Sequence, residues 1–84
     1  MPRFHFHVFN GTGETRDEEG VVLPDLETAR REALSGIRSI LSEEIARGMV
    51  DFAGTVRITD DQDRHLLDVP FLMAVEIRNP DGRH

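Results

Sequence analysis

The chain contains no cysteine, which excludes disulfides, thiolate nucleophiles and every Cys-ligated zinc or iron–sulfur site. It has no lysine either. All ten cations are arginine, a bias that either genomic base composition or a need for bidentate contacts to carboxylates and phosphates would produce. No apolar run approaches the roughly 18 residues of a membrane span, and the opening Met1-Pro2-Arg3-Phe4-His5 lacks the apolar stretch of a signal peptide. The expectation is therefore a cytoplasmic protein without a membrane partner. Positive charge is also scarce. The net charge is −6, with about −2 on residues 1–24, about −1 on 25–50 and about −3 on 51–84. Phosphate contacts supply most non-specific nucleic-acid affinity, so a chain with no basic segment is not expected to read DNA or RNA.

What is present suits a small folded domain. A chain of 84 residues buries only about 60–65% of its unfolded surface, so one domain spanning 1–84 with a thin core is expected. The hydrophobic fraction of 38% against 31% charged lies in the globular range. Arg3 to Phe9 alternate, with Phe4, Phe6 and Val8 on one face and Arg3, His5 and His7 on the other, which predicts a half-buried strand. Asn10-Gly11-Thr12-Gly13 then reads as a hairpin turn. A second strand is expected near Glu14 to Asp17, with a turn or bulge at Glu18-Glu19-Gly20 leading through Val21, Val22 and Leu23 to Pro24.

From Asp25 the period changes from two to about 3.6: Leu26, Ala29, Ala33, Ile37, Ile40, Leu41 and Ile45 form one stripe. The spacing predicts a helix over 25–47 with Asp25 as N-cap and Gly48 as its left-handed stop. Gly36 in mid-helix implies a bend or a close helix–sheet approach. Thr55 to Thr59 and His65 to Phe71 read as a second hairpin about an Asp60–Arg64 turn, with Pro70 marking an edge or an end. Met73 to Ile77 alternates as a last strand would, and 78–84 reads as a frayed tail. The fold expected is α+β: two β-hairpins flanking one amphipathic helix (ββαββ), an antiparallel sheet with the helix on one face. Arg3, His5, His7, Arg57, Thr59 and Asp68 then point away from the helix, onto a face left for a ligand or partner.

On that face His5 and His7 project from the same side of one strand, about 6–7 Å apart, a spacing from which two imidazoles can share a metal ion. A third ligand would have to come from Asp68 or another outward residue. A solvated polar strand face is the competing reading. Other motifs fail on inspection. An EF-hand loop started at Asp61 puts Leu66 where Gly is required and Leu72 where the bidentate Glu belongs, so Asp60 to Asp63 is a turn. Gly11-Thr12-Gly13 has Arg16 at the third glycine position of a dinucleotide fingerprint. Ser35, Ser39 and Ser42 lie outside any Gly-x-Ser-x-Gly elbow. No catalytic residue and no cofactor are indicated.

The order of motifs resembles a family of short bacterial proteins of uncharacterised function that open with Pro-Arg-aromatic-aromatic-Phe-His. The residues that carry the resemblance are Pro2 to His7, Asp17-Glu18-Glu19-Gly20, Leu23-Pro24-Asp25-Leu26-Glu27, Ala29-Arg30-Arg31-Glu32-Ala33, Ile58-Thr59-Asp60 and Val69-Pro70-Phe71. The resemblance implies no activity. His5 stands where that family has an aromatic, so only His7 matches its motif, and Asp63 stands where its turn has Gly, which implies an Asp in left-handed conformation.

The functional expectation is a non-enzymatic binding or oligomerisation module. It pairs as a homodimer through an edge strand or a half-covered sheet face, or masks a basic protein partner as an antitoxin-like regulator does. The alternative is a metal- or small-ligand-binding protein centred on His5, His7 and Arg57.

Overall fold

The computed structural model describes residues 1–80. Strand β1 (Arg3–Asn10) is the longest and sits inside the sheet. Short strand β2 (Gly13–Thr15) returns beside its C-terminal half, pairing Val8 with Thr15 and Asn10 with Gly13. The two-residue loop is thus Gly11-Thr12, one position later than an Asn-Gly turn. Asn10 is the last ladder residue, and its Oδ1 accepts from the Thr12 N–H and hydroxyl at 2.9 and 2.6 Å. Strand β3 (Val21–Val22) pairs with the other end of β1, at Arg3 and Phe4.

Helix α1 (Leu26–Ala46) begins where the period changes. Asp25 accepts from the Thr28 N–H at 2.8 Å, and Gly48 takes φ +87° just past the end. Strand β4 (Thr55–Thr59) pairs antiparallel with β1, His7 opposite Arg57. Strand β5 (His65–Pro70) pairs with β4, with a bulge between Ile58 and Thr59. The described residues form one α-helix and a five-stranded antiparallel sheet in which β2, β1, β4 and β5 follow in order and β3 joins β1 beside β2.

Three expectations change. The N-terminal arm gives two short strands separated by 16–20 rather than one. Phe71 leaves the sheet, and Phe71–Ala74 forms a 3-10 helix; Met73 to Ile77 is not a strand, because Phe71 turns inward. Its N–H donates to the Gly54 carbonyl at 2.9 Å, and its ring fills the space a Cβ at Gly54 would need, 2.5 Å from Cε2. The tail expected over 78–84 falls in part on 81–84, outside the described residues.

The core is Phe4, Ala29, Ala33, Ile37, Leu41, Val56, Ile58, Val69, Phe71 and Ala74. Helix α1 packs chiefly on β4, β5 and the 3-10 helix, and Arg38 Nε donates to the Ala74 carbonyl at 2.7 Å. Phe6 and Val8 of β1 are only partly buried, and Val21 remains 44% exposed. Gly36 makes no close approach, since a Cβ there would meet nothing within 4 Å.

Candidate functional site

The side of β1 that bears His5 and His7 is not open. Residues 16–20 fold back over it, held by Asp17. The Asp17 carboxylate accepts from the Phe6 N–H at 3.0 Å and from the Gly20 N–H at 3.0 Å. Its own N–H donates to His7 Nδ1 at 3.1 Å, and its carbonyl lies 2.9 Å from His5 Nδ1. Asp17 thereby occupies the gap between β2 and β3, where β1 has no strand partner. Burial pushes the Asp17 carboxyl up. The N–H groups of Gly20, Phe6 and Glu19 and the nearby His5 charge outweigh that, leaving it below the usual carboxylate range. Gly20 completes the turn at φ +71°, with a Cβ there falling 2.8 Å from the Phe4 carbonyl oxygen.

This roof corrects the expected outward placement of His7 and Thr59, each of which is 3% exposed. The two histidines do share one side of the strand, with ring centroids 6.2 Å apart and planes inclined by 9°. Their hydrogen bonds set their protonation apart. Because His7 Nδ1 accepts from a backbone N–H, its proton resides on Nε2, which donates to Thr59 Oγ1 at 3.0 Å. Burial, then the nearby Arg16 charge, keep His7 below the ordinary histidine pKa. His5 faces two acceptors, the Asp17 carbonyl and Asp61 Oδ1, each at 2.9 Å. Only the doubly protonated imidazolium satisfies both. The Asp61 carboxylate first, and the Asp17 carbonyl second, raise its pKa.

The Asp60–Arg64 turn forms the far wall. Asp60 Oδ1 accepts from the N–H groups of Gln62 and Arg64 at 2.8 and 3.0 Å. Asp63 adopts φ +62°, the left-handed Asp implied by the sequence. Arg16 reaches over to Asp63 at 3.2 Å. Between roof and turn lies an open cleft of about 340 Å³ with Glu18 at its margin. Arg3 stands beside it, donating to the Glu19 carbonyl at 2.9 Å.

The remaining sequence-predicted residues lie apart. Arg57 stacks over the Phe9 ring, 5.2 Å from its centroid, and Arg57 Nε meets Asp68 at 3.2 Å. Asp68 also receives His65 at 3.1 Å. The structure thus splits the predicted face in two: His5 and His7 under the roof with Arg3 beside it, Arg57 and Asp68 on the sheet beyond. The ring nitrogens of His5 and His7 are all engaged within the chain, and among the described residues no three His, Asp or Glu side chains are grouped to hold a metal ion. Sequence reasoning misses Asp17 and Asp61. A carboxylate three residues before a turn glycine is the available signal for Asp17.

A second concavity lies between α1 and β1. Phe6, Val8, Val21, Gly36, Ile37, Ile40 and Val56 line a hollow of about 180 Å³. At Ile40 it adjoins another of about 550 Å³, bounded by the Asn10–Thr12 turn, Glu43, Glu44, Arg47, Met49 and Asp51. Among the described residues no helix is long and apolar enough to cross a membrane.

No curated protein and no solved structure matches the chain. Residues 3–72, which include β1, the Asp17 roof, α1 and the β4–β5 hairpin, match Domain of unknown function (DUF6894), and the chain belongs to that family.

Proposed function

We propose that this chain is a non-enzymatic binding module that assembles with a second copy of itself along the free edge of β5. The observation that carries this reading is the unequal treatment of the two sheet edges. The outer edge of β1 is closed from end to end by β3, Asp17 and β2. Among the described residues the sheet order has no strand beyond β5. Such an edge presents unpaired N–H and C=O groups to another strand. Pro70 stands at the end of β5 and the bulge at its start, so both interruptions fall outside the central Leu67–Val69 stretch. A two-fold axis beside β5 pairs antiparallel strands and extends one sheet into its neighbour.

Six residues of strand pairing bury too little for a stable dimer, which needs about 1,200 Å² or more in total. Leu72 and Met73, 54% and 65% exposed just beyond β5, supply apolar area next to that edge in the chain. Light scattering behind size-exclusion chromatography of the untagged protein is expected to give twice the chain mass at micromolar concentration. Met73→Glu is expected to shift it to the chain mass without loss of helical circular dichroism. A wild-type monomer at high micromolar concentration overturns the proposal. The other reading, a metal bound at His5 and His7, has the 6.2 Å stacked pair in its favour. It requires release of the Asp17 or Asp61 contacts, and native mass spectrometry of the same sample shows a stoichiometric metal ion if it holds.

A further inference from the structure

We infer that the trough between α1 and β1 is a docking site for a basic, amphipathic segment of another protein. Its floor is apolar and built from both layers: Phe6, Val8, Ile37, Ile40 and Val56. The helix leaves it open because its contacts run to β4, β5 and the 3-10 helix. Gly36 widens it further, since the space a side chain would occupy there is empty.

Charge selects the occupant. Among the described residues the acidic groups around the two hollows are Glu32, Glu43, Glu44 and Asp51, against a single lining cation, Arg47. Glu44 Oε1 also accepts from the Asp51 N–H at 2.9 Å, which fixes two of these acids side by side at one end. A second copy of this chain is a poor fit: it carries net charge −6, and crossing α1 on its own two-fold mate brings Glu32 towards Glu43 and Glu44. Like-charge contacts of that kind oppose pairing. An anionic membrane surface is disfavoured on the same ground. A segment with an apolar strip flanked by Arg or Lys meets both the floor and the rim. From Glu32 to Glu43 the trough runs about 16 Å along α1, enough for three turns of a docked helix.

The probe is a synthetic 18-residue peptide of Leu and Lys with its leucines on one helical face, compared with a Leu/Glu peptide of the same pattern. Chemical shifts of the ¹⁵N-labelled full chain are followed during titration. Expected are saturable changes at Phe6, Val8, Val21, Gly36, Ile40 and Met49 with the Leu/Lys peptide, weakening several-fold between about 20 and about 300 mM salt. Gly36→Trp is expected to abolish them by filling the floor. The double variant Glu32→Lys, Glu43→Lys is expected to bind the Leu/Lys peptide about tenfold more weakly and to gain affinity for the Leu/Glu peptide. Circular dichroism of each variant checks that it is folded. Changes confined to other surfaces, equal affinity for both peptides, or concentration-dependent shifts at these residues without peptide would each overturn the proposal. The last would assign the trough to a second copy. None of these results depends on whether β5 pairs, which light scattering reads separately.

Discussion

His5 and His7 are two residues apart and respond to pH in opposite senses. His5 is held as an imidazolium by Asp61 and the Asp17 carbonyl, with its folded pKa above the ordinary 6.5. Its stabilisation is complete below 6.5 and is lost as pH rises through the folded value. His7 is buried as the neutral ring, with its folded pKa below 6.5. Its stabilisation is complete above 6.5 and is lost as pH falls through the folded value. The two together predict a maximum in thermal stability near pH 6.5, measurable as Tm by scanning calorimetry from about pH 5 to about pH 8. His5→Phe is expected to remove the decline on the alkaline side alone; an unchanged alkaline limb in that variant would refute the assignment. A second residue-scale prediction concerns Gly20. Its positive φ, and the Phe4 oxygen only 2.8 Å from where a methyl group would sit, make Gly20→Ala destabilising by about 1–3 kcal/mol in chemical denaturation. A loss below about 0.5 kcal/mol, roughly the error of such a fit, would mean the roof is not rigid there.

Among the elements, α1 shows best what periodicity reveals and what it leaves hidden. Ala29, Ala33, Ile37 and Leu41 are buried as the 3.6-residue spacing requires, and the Asp25 cap is present. Ile45, on the same stripe, is 62% exposed and lies outside the core cluster. A one-dimensional pattern cannot show where its partner surface stops. The same limit explains the 3-10 helix. Phe71 and Val75 alternate like strand residues, but the vacancy at Gly54 offers Phe71 more burial than an edge position does. The roof is illegible in the sequence for another reason: Asp17 acts through its backbone and carboxylate on residues ten to twelve positions earlier, and no local spacing encodes that. Gly36 gives the element-scale prediction. With open space at its Cβ, Gly36→Ala is expected to raise stability by about 1 kcal/mol, read from the denaturant midpoint at constant slope. A destabilised variant would place an unseen neighbour against the helix.

At the scale of the whole molecule, two concave surfaces are finished differently. One is the open histidine cleft, bordered by charged loops that hydrogen-bond within the chain. The other is the apolar trough beside β1, left where α1 packs on β4, β5 and the 3-10 helix instead. The proposed module uses the edge at β5 for a second copy and the trough for a basic segment, so each assembled pair would present two equivalent docking sites. The placement of β1 has a further consequence, for the order of assembly. Its partners β2 and β3 lie nearby in sequence, whereas its pairing with β4 joins residue 5 to residue 59 across the entire helix. Loop closure of that length carries an entropic cost before any contact offsets it. The N-terminal arm and the unit of α1 with the β4–β5 hairpin are therefore expected to organise separately, and their docking through β1 and β4 sets the folding rate.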